Sequence, residues 1–175
     1  MSTQTWTCKL CGETHEGLAF VFGPDAPDVW MAASDDERTA GGLSPDQCFI
    51  TVDGQQQTFM RGHIVIPVTD GSEADDTATF VWSVWVSLSD ESMALTEQHW
   101  TDPDRASLAP MFAWLGTSLP YDESTLGLPT NLHTGELGQV PSIEVDPDSP
   151  HQLARDQTDG ITMHRVAEIN QQLMG

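Results

Sequence analysis

Two runs of alternating apolar residues, 59–68 and 80–88, lie in the middle of the chain. Successive side chains of a strand point to opposite faces of its sheet, so a run with every second residue apolar has one face suited to a hydrophobic core. These faces carry Met60, Ile64, Ile66 and Val68 in the first run and Phe80, Trp82, Val84, Val86 and Leu88 in the second. We predict two strands with these faces buried and the opposite faces partly covered.

The opposite faces carry Arg61 and His63 in the first run and Ser83 and Trp85 in the second. If the two strands pair as a hairpin through the acidic loop 69–79, these four side chains share one face of the sheet. A cation and a titratable ring on a rigid strand can bind an anionic substrate, so Arg61 and His63 are the candidate catalytic residues. The interpretation we favour is a partly exposed face with an aromatic cover, in which Arg61 is tied to a neighbouring carboxylate.

The rest of the pattern predicts a single α+β domain. A strand from Cys48 to Val52 and the Asp53-Gly54 turn complete a three-stranded antiparallel meander from about Cys48 to Leu88. Helices are expected to pack on one face of this sheet. The predicted helices are 89–100, 105–117, 150–159 and 161–173, and the third of these has Ser149 as its cap and Pro150 at its first position. Short strands are predicted at 18–22, 126–132 and 141–145. Residues 1–17 form an N-terminal segment, and residues 18–175 form the α+β body.

The N-terminal segment carries Cys8 and Cys11 in a C-x-x-C motif, followed by Gly12 and His15. Two thiolates at this spacing supply half of a tetrahedral zinc site, and the glycine permits the positive φ that such a turn requires. We predict a zinc knuckle held by Cys8, Cys11 and Cys48, with His15 as the fourth ligand. The alternatives to His15 are His63, His133 and His151.

Other roles of the thiols stay open. The C-x-x-C spacing also occurs in thiol exchange, although Gly12 and Gly17 interrupt the helix that a thioredoxin-like motif opens. Cys48 is equally suited to be a small buried hydrophobe. Three cysteines are an odd number, which argues against a secreted disulfide framework.

The net charge of the chain limits the classes of partner that it can bind. The 175 residues include 27 acidic and six basic side chains, for a formal net charge of −21. Such a surface repels phosphate groups, so we exclude nucleic acids and anionic membranes as partners. We also find no leader and no apolar run near the roughly 20 residues that span a membrane. We therefore expect a soluble cytoplasmic protein whose oligomeric state stays open.

Several motifs follow one another in a recognisable order. They are C-x-x-C-G-x-x-H from Cys8 to His15, D-x-C from Asp46 to Cys48, Arg61-Gly62 with Ile66-Pro67, the strand Trp82 to Leu88, and His151 to Ile161. In this order the chain resembles a bacterial family, domain of unknown function 2199. It departs from the family pattern at Ser83, where glycine is usual, and at Gln152, where proline is usual. The resemblance implies one cytosolic domain with Cys8, Cys11, His15 and Cys48 as a unit, and the family supplies neither a reaction nor a ligand for this chain.

No catalytic template is present in the sequence, since G-x-S-x-G, the phosphate-cradling loop and H-E-x-x-H are all missing. The leading hypothesis is a non-enzymatic binding or regulatory module, stabilised by zinc, that recognises an unidentified protein or small molecule. One alternative is a small zinc-dependent hydrolase with an open metal position and His63 or His15 as general base. Another is an acidic protein that neutralises a basic partner.

Overall fold

The computed structural model of the chain describes residues 5–7, 12–70 and 78–174. The strands are β1 (Thr5–Thr7), β2 (Thr14–Glu16), β3 (Val21–Phe22), β4 (Gly42–Leu43), β5 (Gln47–Val52), β6 (Gln55–Pro67), β7 (Thr79–Leu88), β8 (Met111–Leu115), β9 (Pro129–His133) and β10 (Ser142–Val145). The helices are α1 (Asp28–Ala32), α2 (Asp35–Ala40), α3 (Asp90–His99), α4 (Gln152–Asp159) and α5 (Met163–Met174), with a 3-10 turn at Arg105–Ser107.

Five of these strands close into a barrel. The antiparallel pairs β6–β7, β7–β8, β8–β9 and β9–β10 follow one another, and β10 returns to β6 in a parallel pair at Ser142 and His63. Outside the barrel, β5 and β4 extend the sheet from β6, and β3 pairs in parallel with β7. Because β10 pairs with β6, β10 is not left as the free edge strand that an open sheet would expose.

The predicted meander is present, but it is only part of this barrel. β5, β6 and β7 pair antiparallel in sequence, with Arg61 opposite Trp85 and His63 opposite Ser83. The prediction of a simple meander with helices on one face was wrong. Instead α2 contacts β5, α3 contacts β7, and α4 contacts β6 and β10. Apolar alternation shows which face of a strand is buried, and it carries no information on whether the sheet closes.

The barrel interior is built from the faces that the alternation predicted. Its completely buried side chains are Met60, Ile64, Ile66, Phe80, Val84, Val86 and Leu132, and Leu153 of α4 and Val166 of α5 belong to the same hydrophobic cluster. The rings of Phe80 and Trp82 meet edge to face with centroids 4.8 Å apart. At the β6–β10 junction the strands approach so closely that a Cβ on Gly62 would lie 2.5 Å from the Ile143 side chain. Any other residue at position 62 would therefore have to displace the buried Ile143 side chain.

A second cluster lies on the outer side of the barrel, where Trp85 packs with Cys48, Ile50 and Phe59. Trp85 was predicted to cover a partly exposed face, but it is completely buried. Side chains of α1 pack over this cluster, and the Trp85 indole nitrogen donates a hydrogen bond to the carbonyl of Pro24 at 3.2 Å. The opposite face of β7 is thus a second core, because segments far away in sequence cover it.

The helix predicted at 105–117 was wrong, because this segment forms the 3-10 turn and then β8. Its burial alternates with a period of two: Ala113 is buried, whereas Phe112 and Trp114 are each 51% exposed. Exposed aromatic residues on the outer face masked the strand alternation and produced an apparent helical spacing. The other three predicted helices are present as α3, α4 and α5.

Local capping explains the boundaries of these helices. The Ser89 hydroxyl accepts a hydrogen bond from the Ser92 amide and caps α3. The cap of α4 is His151 rather than the predicted Ser149, and α4 ends at Gly160, which has a φ of 86°. Within the described ranges, no helix is long and apolar enough to cross a membrane.

Candidate ligand-binding cleft

A cleft of about 740 Å³ lies between the loop 120–123 and the helices α4 and α5. Its volume is in the range of sites that bind small molecules. Gly160 separates the two helices, and a Cβ there would lie 2.8 Å from the carbonyl oxygen of Pro67, so the turn sits directly on β6. This turn brings Arg155 of α4 and Arg165 of α5 to the lining of one cleft.

A hydrogen-bonded network around Asp156 forms part of the lining. The Tyr121 hydroxyl donates to Asp156 Oδ2 at 2.7 Å, and Gln152 Nε2 donates to Oδ1 at 2.7 Å. Asp156 is only 7% exposed, so its carboxylate needs both bonds. Burial, together with the hydrogen bond and charge of Asp156, raises the pKa of Tyr121. Tyr121 is therefore a neutral hydrogen-bond donor at neutral pH.

His151 is buried in the wall of the cleft, and both of its ring nitrogens are in use. Nδ1 accepts from the Leu153 amide at 3.0 Å, and Nε2 lies 3.1 Å from the Glu123 carbonyl oxygen. Because Nδ1 accepts, Nε2 must carry the ring proton and donate it to Glu123. His151 thus fixes the start of α4 to the loop, and this arrangement leaves no nitrogen free for the zinc site to which it was an alternative ligand.

Arg155 and Arg165 supply the positive charge of the cleft. Arg165 lies over the Tyr121 ring, 5.8 Å from its centroid, and makes long contacts of 3.4 Å with the Pro120 carbonyl and 3.5 Å with Glu168. Among the arginines in the part of the chain that the structure covers, only the Arg155 side chain has neither a hydrogen bond nor an ion pair. Its guanidinium is free to meet a ligand.

Carboxylates line the same cleft. Glu168 is held by His164 at 3.2 Å and by Arg165 at 3.5 Å, whereas Asp122 and Glu123 are exposed at the loop. The cleft therefore presents both signs of charge, and its two cations are matched by exposed anions on the facing loop. This arrangement suits a small ligand that carries an anionic group and tolerates an ammonium group.

The predicted catalytic candidates, Arg61 and His63, lie on β6 and do not line this cleft. Arg61 Nε donates to the Pro45 carbonyl at 2.6 Å, and its Nη2 lies 3.9 Å from Asp46. Burial, and secondly the charge of Arg61, lower the pKa of His63, so the ring is neutral at pH 7. The two side chains share a face as predicted, and their role in catalysis stays a prediction.

The predicted zinc site lies largely beyond the residues that the structure describes, since Cys8, Cys11 and the His15 side chain are outside them. The flanking strands β1 and β2 pair antiparallel with Trp6 opposite His15. Cys48 is completely buried in the second core, and burial raises the pKa of its thiol to about 11. Within residues 5–7, 12–70 and 78–174, no group of three His, Cys, Asp or Glu can hold a metal ion. The ligand set stays a prediction.

The cleft residues gave only a partial signal in the sequence. Gln152 and Asp156 are one helical turn apart, and this spacing places them on the same face of α4. Tyr121 is 35 residues from Asp156, and no motif spacing connects them. Their contact depends on how the loop after β8 folds back on α4, which the sequence pattern did not predict.

Comparison with known proteins gives one relation. Neither a curated protein nor a solved structure matches the chain. A family model described as "Uncharacterized protein conserved in bacteria (DUF2199)" matches residues 7–161. This range contains the whole barrel and α4, and it includes every motif on which the resemblance was based. The chain belongs to the bacterial family DUF2199.

Proposed function

We propose that the protein is a non-enzymatic binding module, and that its cleft takes a small ligand with a carboxylate or phosphate group. The observation that carries this proposal is the free guanidinium of Arg155 in the same cleft as Arg165. A guanidinium presents a planar fork of N–H donors that matches both anions with two parallel hydrogen bonds.

The proposal must account for an anion site on a chain with a net charge of −21. Long-range repulsion slows the approach of any anion, but it is screened beyond about 8–10 Å at physiological salt. At contact distance the groups nearest to the ligand determine its binding energy. Two of the chain's few cations, Arg155 and Arg165, line this cleft. Asp122 and Glu123 line the same cleft, so an amino-acid-like zwitterion is favoured over a plain anion.

Binding, rather than catalysis, is supported by the state of the two buried titratable side chains in the cleft, Asp156 and His151. Asp156 accepts two hydrogen bonds, and both nitrogens of His151 are engaged. General acid–base chemistry requires a titratable group that can reach the substrate's proton. The buried groups of the cleft are committed to holding its walls, which favours a rigid recognition site.

Ligand binding to the native state is expected to raise the thermal midpoint. We expect glutamate or succinate to stabilise the protein by about 2.7 kcal/mol at 100-fold excess over Kd, a rise of roughly 5–10 °C for a chain of this size. Arg155→Gln should remove most of this rise, because the substitution removes the free charge and leaves no buried partner unpaired. Differential scanning fluorimetry with glutamate, succinate, inorganic phosphate and putrescine measures the effect.

The matched control is Arg61→Gln, which removes one positive charge outside the cleft. If the ligand still raises the thermal midpoint of Arg155→Gln but not that of Arg61→Gln, the binding site lies at Arg61 on β6 and not in the cleft. Stabilisation by putrescine alone would show that the carboxylates, and not the arginines, select the ligand. Either result would overturn the proposal.

We further propose that the N-terminal segment binds structural zinc through Cys8 and Cys11. Metal binding of this kind is coupled to folding, so removal of the metal lowers stability. We expect one zinc per chain by elemental analysis, its loss in Cys8→Ser, and a lower thermal midpoint after chelation. Zinc retained in Cys48→Ala would leave Cys48 as a core residue, whereas an unchanged midpoint after chelation would refute the structural role.

A further inference from the structure

A second surface feature has no role in the cleft. An apolar groove of about 950 Å³ runs between β8 and α1, and it shares no lining residue with the ligand-binding cleft. Trp114 of β8, Met31 of α1 and Leu126 line it and are respectively 51%, 47% and 48% exposed. A concentration of large exposed apolar side chains in one groove marks an interaction surface in a soluble protein.

Contacts within the protein already hold the two walls of the groove in place. Trp114 is held by Phe112 of the same strand, since their rings meet edge to face at 4.7 Å and 88°. The opposite wall is anchored by Asp28 at the start of α1, whose carboxylate accepts hydrogen bonds from the Ser118 amide and hydroxyl. Side chains already fixed by such contacts lose little conformational entropy on binding.

Acidic side chains lie on the elements next to this apolar groove. Asp28 is the one charged residue in its lining. The helix α2 follows α1 directly and begins with Asp35, Asp36 and Glu37. The same helix carries Arg38, whose guanidinium donates to the carbonyl oxygen of Met31 at the groove. The helices α1 and α2 together carry four carboxylates and one arginine, so the side of the groove that they form has a net negative charge.

We propose that this groove docks a basic amphipathic segment of a partner protein, with its apolar side chains in the groove and its lysines or arginines toward these carboxylates. A second copy of the chain would bring another net charge of −21 to the same surface, and repulsion opposes that dimer. Nucleic acids are opposed for the same reason. The inference is independent of the small-ligand cleft.

The probe is a synthetic amphipathic peptide of leucine and lysine, and its binding is measured by isothermal titration calorimetry. We expect the peptide to bind the native protein, with an affinity that falls as salt is raised. Trp114→Gln and Met31→Gln should each weaken binding by about tenfold or more, the effect of losing a central apolar anchor. Both substitutions preserve the net charge, so their effect is not electrostatic.

The control variant is Leu137→Gln, which replaces a side chain with 48% exposure outside the groove. The control peptide has the same composition, with its leucines scattered around the helix. Equal affinity of Trp114→Gln and Leu137→Gln for the first peptide, or equal affinity of both peptides for the native protein, would overturn the proposal. A native dimer that Trp114→Gln converts to a monomer would assign the groove to a second copy instead.

Discussion

Arg105→Ala is expected to lower the free energy of unfolding by about 3 kcal/mol or more, because several hydrogen bonds from a charged group, each worth about 1.5–3 kcal/mol, are lost together. Arg105 is only 1% exposed. Its guanidinium donates to the carbonyl oxygens of Trp100, Gly135, Glu136 and Gln139 and lies 4.3 Å from the centre of the Trp100 ring. Its removal takes the charged donor from the carbonyls of Trp100, Gly135 and Gln139, whereas the Glu136 carbonyl keeps a hydrogen bond from the Gln139 amide.

The carbonyl partners explain why lysine cannot replace Arg105. A lysine ammonium is a point charge on a flexible stem, and it can neither span four carbonyls nor stack on Trp100. Arg105→Lys should therefore recover only part of the loss in urea denaturation. Arg38→Lys is the control, because Arg38 also donates to two carbonyls but is partly exposed. Equal costs for Arg105→Lys and Arg38→Lys would contradict this account.

Trp82→Ala is the second large expected effect, at about 3–5 kcal/mol for a large aromatic side chain removed from a core. Trp82 is 1% exposed and contacts the rings of Phe22, Phe80 and Tyr121. The substitution opens a cavity in the barrel beneath Tyr121, so the cleft should also lose ligand affinity where the variant still folds.

The matched variant is Trp114→Ala, because Trp114 is also a barrel tryptophan but is 51% exposed. Its removal from the outer face should cost about 1 kcal/mol or less. Denaturant unfolding at equal protein concentration compares the two variants. A difference of under about 1 kcal/mol between them would contradict the assignment of Trp82 to the barrel core.

The two long strands could be predicted because their apolar alternation is regular over many residues. Arg61 and His63 share a face with Ser83 and Trp85 as predicted, and the register that pairs Arg61 with Trp85 and His63 with Ser83 is known only from the structure. The short strand β8 could not be recognised, since Phe112 and Trp114 are apolar on the exposed face. Barrel closure depends on the pairing of β10 with β6, which is a long-range contact without a local pattern.

The candidate site was less predictable than the fold. A charged residue such as Arg105 is expected at the surface from its type alone, and only the surrounding carbonyls explain its burial. Likewise the cleft depends on the contact of Tyr121 with Asp156, which join a loop and a helix. Local spacing identifies neighbours within one element, whereas sites assembled from several elements require the tertiary structure.

The motifs that carry the family resemblance are explained by the barrel more than by the cleft. Gly62 permits the close approach of Ile143, and Trp82 fills the barrel interior. Gln157 of α4 receives a hydrogen bond from the Val145 amide and donates one to the Ile143 carbonyl, both on β10. These residues hold the closed sheet together.

The central claim is that the cleft binds its ligand through Arg155 and Arg165. The most direct measurement is a titration followed by NMR of the arginine Nε–H groups in ¹⁵N-labelled protein, with glutamate as the first ligand and succinate as the second. The account predicts saturable shifts of the Arg155 and Arg165 signals, with those of Arg38, Arg61 and Arg105 unchanged. Signals of Arg155 and Arg165 that stay fixed while amides elsewhere in the chain shift on binding would contradict it.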